Sequence, residues 1–486
     1  MTRWFGYFIN IIAAAVIVLA LSAAGCSNES PATKVQNAAK ERTSSVGEPL
    51  TASDRAYSSD KVKLVWVAYN LLPGGKKDMI LKRWHEKYPN IEVSYKDFPA
   101  EPASYTQALN TAFSSNEKVD VLLLSHEEVL LRAQSGQLHE LDSMARKAGD
   151  NIDQMFGGKL QSIQLGSSNY QLPYTMRVDM LYYNKDLFDA RSIPYPDEYT
   201  TFPELVAMAK QLQEGGTAST ANGDKIWSYI GKNPLQPAIN AGWSWLNEDS
   251  KPAFADKRVQ KVLELQKELV DSGATPSSLQ IRTDKLKSSL LFAEGKLAMM
   301  VEDWWPPMFW SILKFNHGSI AQNAPAFRYD VTFLPRYDDK AMPKQQDVPP
   351  GWGYAVNART KHPFEAYLFA KFLATENYDI NGYIPANKES DFPFYNQIFN
   401  TFIDENNEEH TGLYSEDFLR KLKRVMEETV PVVSSVPPDK ESAQLLTSMK
   451  DTFNREADRY FAGMITVEQL IGAVQSVQSQ AQLPSK

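Results

Sequence analysis

From Lys61 onward, short β-rich apolar runs alternate with stretches whose apolar residues recur at helical spacing, and this alternation restricts the fold more than any other feature. Lys61-Val-Lys-Leu-Val-Trp-Val-Ala reads as a strand, followed by Pro73-Gly74-Gly75 and a helical pattern through Met79, Ile80, Trp84 and Tyr88. Ile91 to Phe98 reads as a second strand, Tyr105 to Phe113 as a helix, and Val119 to Leu124 as a third apolar run. Such a series predicts an α/β sheet covered by helices. Helical patterns then dominate, over Phe202 to Leu212, Arg258 to Val270, Pro363 to Thr375, Ser415 to Glu428 and Gln444 to Tyr460. Tyr195 to Thr201, Tyr337 to Pro350 and Asn387 to Pro393 are rich in Pro, charge and polar residues and read as surface loops. At 486 residues, with 43% apolar and 23% charged, the chain exceeds one compact core, so two domains are expected.

The first residues read as a secretion signal, with Arg3 in a short positive region, Ile9 to Leu21 as its apolar stretch, and Ser22-Ala23-Ala24-Gly25-Cys26 after it. Cys26 is the sole cysteine, so no disulfide forms within the chain. This end resembles a bacterial lipobox, in which the thiol takes a diacylglycerol and small residues before it admit the peptidase; Ala23 stands where Leu is commoner. Residues 1–25 are then a lipoprotein signal peptide and Cys26 the lipidation site. The alternative is a plain N-terminal anchor, because Phe8 to Ala24 is nearly long enough to span a bilayer. Residues 26–60, with almost no large apolar side chains, read as a disordered tether.

A net charge of -8 without any Lys or Arg run argues against nucleic acid as a partner. The chain has no Walker A motif, no Gly-x-Gly-x-x-Gly, no His-Glu-x-x-His and no Gly-x-Ser-x-Gly. A lone Cys excludes cysteine catalysis and cysteine zinc sites, and the six His are scattered, so neither cofactor nor metal is expected. Carboxylate chemistry stays open, since a glycosidase needs only two carboxyl groups flanking one bond. The adjacent pairs Glu127-Glu128 and Glu302-Asp303 read as poor candidates, because neighbours on a strand point to opposite faces.

Five blocks resemble, in order and spacing, the family 1 extracellular solute-binding proteins, the group that includes maltose-binding protein. They begin with Val62 to Val93, containing Trp84-His-Glu-Lys-Tyr-Pro-Asn-Ile-Glu-Val, and Val119-Asp-Val-Leu-Leu-Leu-Ser-His-Glu-Glu, followed by Ala133-Gln-Ser-Gly-Gln-Leu. Leu172-Pro-Tyr to Leu181-Tyr-Tyr-Asn-Lys-Asp-Leu-Phe188 is similar to the stretch where the family's chain crosses to its second lobe. Phe292-Ala-Glu-Gly-Lys-Leu-Ala-Met-Met-Val, ending at Trp304-Trp305, is similar to its helix, Gly turn and strand. Gly351-Trp-Gly-Tyr-Ala-Val-Asn with Phe364-Glu-Ala-Tyr-Leu-Phe-Ala-Lys-Phe-Leu is similar to its return crossing. Asp303 departs from the pattern, which usually carries Gly there.

The resemblance implies an α/β, two-lobe, type II periplasmic-binding-protein (Venus flytrap) fold with inter-lobe hinge crossings. It divides the chain into an N-terminal lobe, 61–175 and 353–383, and a C-terminal lobe, 176–352 and 384–486. It implies a monomer that binds a sugar or oligosaccharide between the lobes and delivers it to the permease of an ABC importer, held at the membrane through Cys26. Carried over position by position, Asn70 would bond a hydroxyl and Glu127 would accept from hydroxyl pairs. Arg177 would offer its fork to ligand oxygens or pair with Asp179 across the lobes, and Asp303 would alter the cleft edge. Trp305 is the first-choice stacking face, with Trp304, Trp243, Trp245 and Trp352 as second choices. Two rival readings are an anchored polysaccharide-degrading enzyme and an accessory that presents ligand to a membrane sensor.

Overall fold

The computed structural model describes residues 60–477 apart from 70–75, 100–101, 158–159, 161–163, 166, 176, 215–222, 316–323, 348–350, 382, 388–391, 404–407 and 433–439. The expected α/β alternation is present: β1 (Val62–Tyr69), α1 (Lys76–Lys87), β2 (Ile91–Phe98), α2 (Pro102–Ser114), β3 (Val121–Ser125) and α3 (His126–Gln134) follow one another. The first sheet is completed by β4 (Leu172–Pro173), after which the chain passes to β5 (Met180–Asn184), α4 (Phe202–Gln213), β6 (Trp227–Ile230) and α5 (Lys257–Asp271). Next come β7 (Leu297–Glu302), α6 (Pro306–Phe315), β8 (Tyr329–Thr332), β9 (Gln345–Asp347), β10 (Trp352–Val356) and α7 (Pro363–Thr375). The chain ends in α8 (Glu416–Glu428), β11 (Val430–Val432), α9 (Lys440–Phe461) and α10 (Val467–Gln475).

Two separate sheets form two lobes. The first has the order β2-β1-β3-β10-β4, the second β8-β5-β7-β6. In the first, β1 runs parallel to β2 and β3 while β10 runs antiparallel to β3 and β4. Residues Val121 to Leu124 are buried without alternation, as expected of a central strand covered on both faces. Covering it is α7, where Phe364 to Ala370 are buried without a gap, leaving this helix apolar nearly all round. Its Phe369 meets Trp66 of β1 and Trp84 of α1 edge-on, at 5.6 and 4.9 Å. In the second lobe, α4 starts on a capping box: Thr201 accepts from the Glu204 N–H while the Glu204 carboxylate accepts from the Thr201 N–H.

Two expected loops contain short elements. β9 lies inside 337–350 and pairs in parallel with β11, and a helix begins at Phe392 inside 387–393. The strand is set by tertiary contact, since three residues carry no periodicity of their own.

The connections between the lobes run side by side. The Tyr174 N–H donates to the Trp352 carbonyl (3.1 Å), the Gly351 N–H to the Thr175 carbonyl (3.0 Å), and Thr175 bridges to Pro385. Gly353 permits this closeness, because a Cβ there would lie 2.6 Å from Gln171 Cδ and 2.7 Å from the Leu172 carbonyl oxygen. Backbone cannot swing away as a side chain does. Gly353→Ala is therefore expected to cost about 1–3 kcal/mol, read as a lowered urea midpoint at constant slope.

Candidate functional site

Three strand ends of the second sheet deliver charge to one place. In the antiparallel pairing of β5 with β7, Met180 lies opposite Glu302, so Asp179 and Asp303 both fall just past the end of that pair. The parallel strand β6 ends at Ile230, opposite Met300, and the turn after it brings in Lys232. Lys232 Nζ donates to Asp179 Oδ1 at 2.6 Å and sits 3.2 Å from Glu302 Oε2. Arg177 Nε stands 3.9 Å from both Asp179 and Asp303, longer than hydrogen bonds, with its side chain 29% exposed. The Ser288 hydroxyl donates to Glu302 (2.8 Å).

Backbone contacts fix the carboxylates. Asp303 Oδ1 accepts from the N–H groups of Val178 (3.1 Å) and Trp304 (2.8 Å), and its carbonyl accepts from the Tyr182 hydroxyl (2.9 Å). Gln346 of β9 brackets Asp179, accepting from its N–H and donating to its carbonyl, each at 3.0 Å. The crossing is thereby tied to the second lobe at Asp179.

The electrostatics of the cluster are unequal. Burial works to raise Asp179, but Lys232 and then Arg177 outweigh it and hold the carboxyl below its ordinary value. Burial works to lower Lys232, and Asp179 with Glu302 outweigh it, so this ammonium is raised. Burial pushes Asp303 up to about 7; Lys232 pulls against the rise and Asp179 adds to it. Two cations thus face three carboxylates, and burial brings the titration of Asp303 close to neutrality.

The sign of the consequence is fixed. With about 7 in the folded chain and 3.8 as the ordinary value, the native state binds the extra proton between those limits, so this group's contribution to stability falls as pH rises through that window. The ceiling is about 4 kcal/mol at about 1.4 kcal/mol per unit, and relaxation leaves about 2. Asp303→Asn keeps an oxygen for the Val178 and Trp304 N–H groups. It is expected to gain stability on wild type by about 2 kcal/mol between pH 5 and pH 8, measured by urea denaturation at both.

The expected site residues divide into groups. Arg177, Asp179 and Asp303 come together. Trp305 follows two residues on at the start of α6, only partly buried, its ring edge-on to Phe309 at 5.6 Å. Trp304 is buried and meets Tyr383 and Phe399 edge-on, at 6.0 and 6.3 Å. Tyr383 in turn meets Tyr174, and Tyr174 meets Tyr354 of β10, so an aromatic series runs from one lobe to the other. Trp352 is half-buried at the start of β10, opposite Ser125 of β3. Asn70, Cys26 and the side chain of Glu127 lie outside the described residues.

Three expectations are corrected. Trp243 and Trp245 are core residues, 3% and 8% exposed, with ring centroids 5.2 to 5.7 Å from Phe254 and, for Trp245, 5.6 Å from Phe453. Burying large rings in the second lobe outweighs leaving them for a ligand. Glu302 and Asp303 join one network, because strand alternation ends at Glu302 and Asp303 turns back beyond it. Glu128 lies on α3 rather than a strand, pairs with Arg132 at 3.2 Å and accepts from Thr106 at 3.0 Å.

Lys232 and Gln346 escaped the sequence reading. The only signal for Lys232 is Gly231-Lys232-Asn233-Pro234, a turn directly after a buried strand. Among the described residues no group of three or more His, Cys, Asp or Glu could hold a metal ion.

Two α/β lobes joined by adjacent crossings, with a charged and aromatic cluster at the crossing, define a type II two-lobe solute-binding protein. The chain belongs to the bacterial extracellular solute-binding protein family, whose model matches residues 70–379, more than half of it. An uncharacterised ABC transporter extracellular-binding protein of Pyrococcus horikoshii is 23% identical over 316 residues, 62% of this chain and 66% of that protein. An ABC substrate-binding protein from Listeria monocytogenes, solved in complex with cycloalternan, superposes with a TM-score of 0.65 at 20% identity, covering 87% of this chain and 99% of that one. A sugar transporter from Rhizobium etli, in an open conformation, gives 0.66 at 19%, covering 86% and 99%. The family is one of solute-binding proteins, and the Listeria protein is a substrate-binding protein.

Proposed function

We propose that this protein is a lipid-anchored sugar-binding component of an ABC importer, which captures a sugar or oligosaccharide between its lobes and delivers it to the permease. The observation that carries the reading is the partly exposed ring of Trp305, two residues along the chain from Asp303, which itself stands 3.9 Å from Arg177. A flat ring suits a sugar's C–H face, while a guanidinium fork and a carboxyl that holds a proton near neutrality serve its hydroxyls as donors and acceptor. Asp179, with Lys232 and Gln346 already engaged, supports Arg177. Asn70 and Glu127 of the N-terminal lobe, with Trp352 at the boundary between the lobes, complete the proposed site. That lobe comprises 61–175 and 353–383, and its partner 176–352 and 384–486. The cycloalternan complex of the Listeria relative supports a saccharide ligand.

The same reading holds the protein at the membrane. In this reading cleavage before Cys26 leaves its thiol to take a diacylglycerol, and residues 26–60 span from lipid to body as a tether.

A thermal-shift screen of mono-, oligo- and uronic-acid sugars tests the reading, with reducing-end release checked on each hit. A ligand at 100 times its dissociation constant stabilises by about 2.7 kcal/mol. Trp305→Ala is expected to weaken affinity about tenfold, which leaves about 1.4 kcal/mol of that at the same concentration. An unchanged shift in the variant would remove Trp305 from the site, and release of reducing ends would replace binding with catalysis.

A further inference from the structure

The second lobe holds a cavity of about 340 Å³ that belongs to no part of the cleft. Asn184 pairs with Tyr329 at one end of β5, and Met180 with Glu302 at the other, so Lys185 and Tyr329 of the cavity wall stand at the sheet end away from the charge cluster. Helix α6, about 15 Å from end to end, spans the distance: Trp305 precedes its first residue, while Trp310 at its middle and Lys314 and Phe315 at its far end line the cavity.

The wall has a distinctive chemistry. It carries three cations, Lys185, Lys314 and Arg328, and no carboxylate, in a chain whose net charge is -8. Arg328 is held by Asp186 and Asp189, each at 2.7 Å. Lys185 stands 4.0 Å from Asp330, whose carboxylate already accepts from Lys421 at 2.6 Å. Lys314 is exposed, lies over the Phe315 ring at 5.1 Å, and makes no ion pair among the described residues.

The aromatic groups offer faces, not donors. The Trp310 N–H donates to the Ser289 carbonyl (3.3 Å), and the Tyr414 hydroxyl donates to the Pro307 carbonyl (2.5 Å). Phe418 packs against both Tyr414 and Tyr329, at 5.3 and 5.5 Å. A wall of rings whose polar atoms are spent, under an ammonium with no carboxylate partner among the described residues, suits an apolar body bearing one negative charge. The volume falls in the range of small-molecule sites.

We infer that this cavity is a second ligand site, distinct from the cleft, for a flat organic anion of the aryl carboxylate class. Lys314 supplies the cation, and the rings of Phe327, Tyr329 and Phe418 supply the apolar walls.

Titration calorimetry with 2-naphthoate and its neutral isostere 2-naphthamide tests the assignment on the purified chain. Naphthoate is expected to saturate one site and to bind about tenfold tighter than the amide. Lys314→Glu is expected to weaken naphthoate at least about tenfold and Lys314→Gln by a smaller factor, with the melting temperature and the sugar-induced shift unchanged. Equal affinity for acid and amide would overturn the inference, as would undiminished naphthoate binding in Lys314→Glu or the absence of saturable binding in the millimolar range.

Discussion

Lys232→Ala is expected to lower the unfolding free energy by about 3–5 kcal/mol at pH 7, the range for removing one partner of a buried ion pair. The reason lies in what remains. Asp179 and Glu302, 8% and 4% exposed, share this ammonium as their closest cation, and without it two carboxylates stay in a poorly hydrated place. Arg177 cannot substitute, because it sits 3.9 Å from Asp179 and has Asp303 to serve as well. The loss should shrink toward pH 4, because Asp179, no longer held down by Lys232, takes up a proton there, a dependence that simple loss of packing would not show. Urea denaturation at pH 4 and pH 7 separates the two, and a deficit below about 1 kcal/mol at pH 7 would mean water reaches the cluster freely.

Trp245→Ala is expected to cost about 3–5 kcal/mol of stability and to leave ligand affinity untouched. Its ring touches those of Trp243, Phe254 and Phe453, so truncation opens a cavity that none of these rings can fill without leaving the others. Trp305→Ala should do the opposite, weakening binding with little loss of stability, since that ring is only partly buried. Denaturation midpoints and ligand dissociation constants measured on both variants form the check. If Trp245→Ala weakened binding and Trp305→Ala did not, the roles assigned to the two tryptophans would have to be exchanged.

That contrast marks where the sequence can be read and where it cannot. β1, α1, β2 and α7 stand out because long apolar periodicity and burial demand the same residues. The crossing at Arg177 and Asp179 is visible through its resemblance to a family pattern. Trp243-Ser-Trp245 and Trp304-Trp305 look alike as strings, yet one pair fills a core and the other leaves a ring half open, because exposure is settled by partners such as Phe453 far along the chain. Lys232 is hidden for the same reason: a Lys after a strand is usually solvated, and only the register of β5 against β7 puts Asp179 and Glu302 around it. β9 and β11 are three residues each and exist only because they meet.

The bracket that Gln346 places on Asp179 has a mechanical consequence. With Val178 and Asp179 fastened to the second lobe and Pro173 paired to Gly353 in the first, the first crossing has only a few residues between its two anchorages. A pivot that short produces rotation with little sliding. Displacement then grows with distance from the axis, so atoms beside the fulcrum, such as the guanidinium of Arg177, keep nearly the same neighbours whether the jaws are apart or together. Atoms at the outer lips sweep through the largest arc.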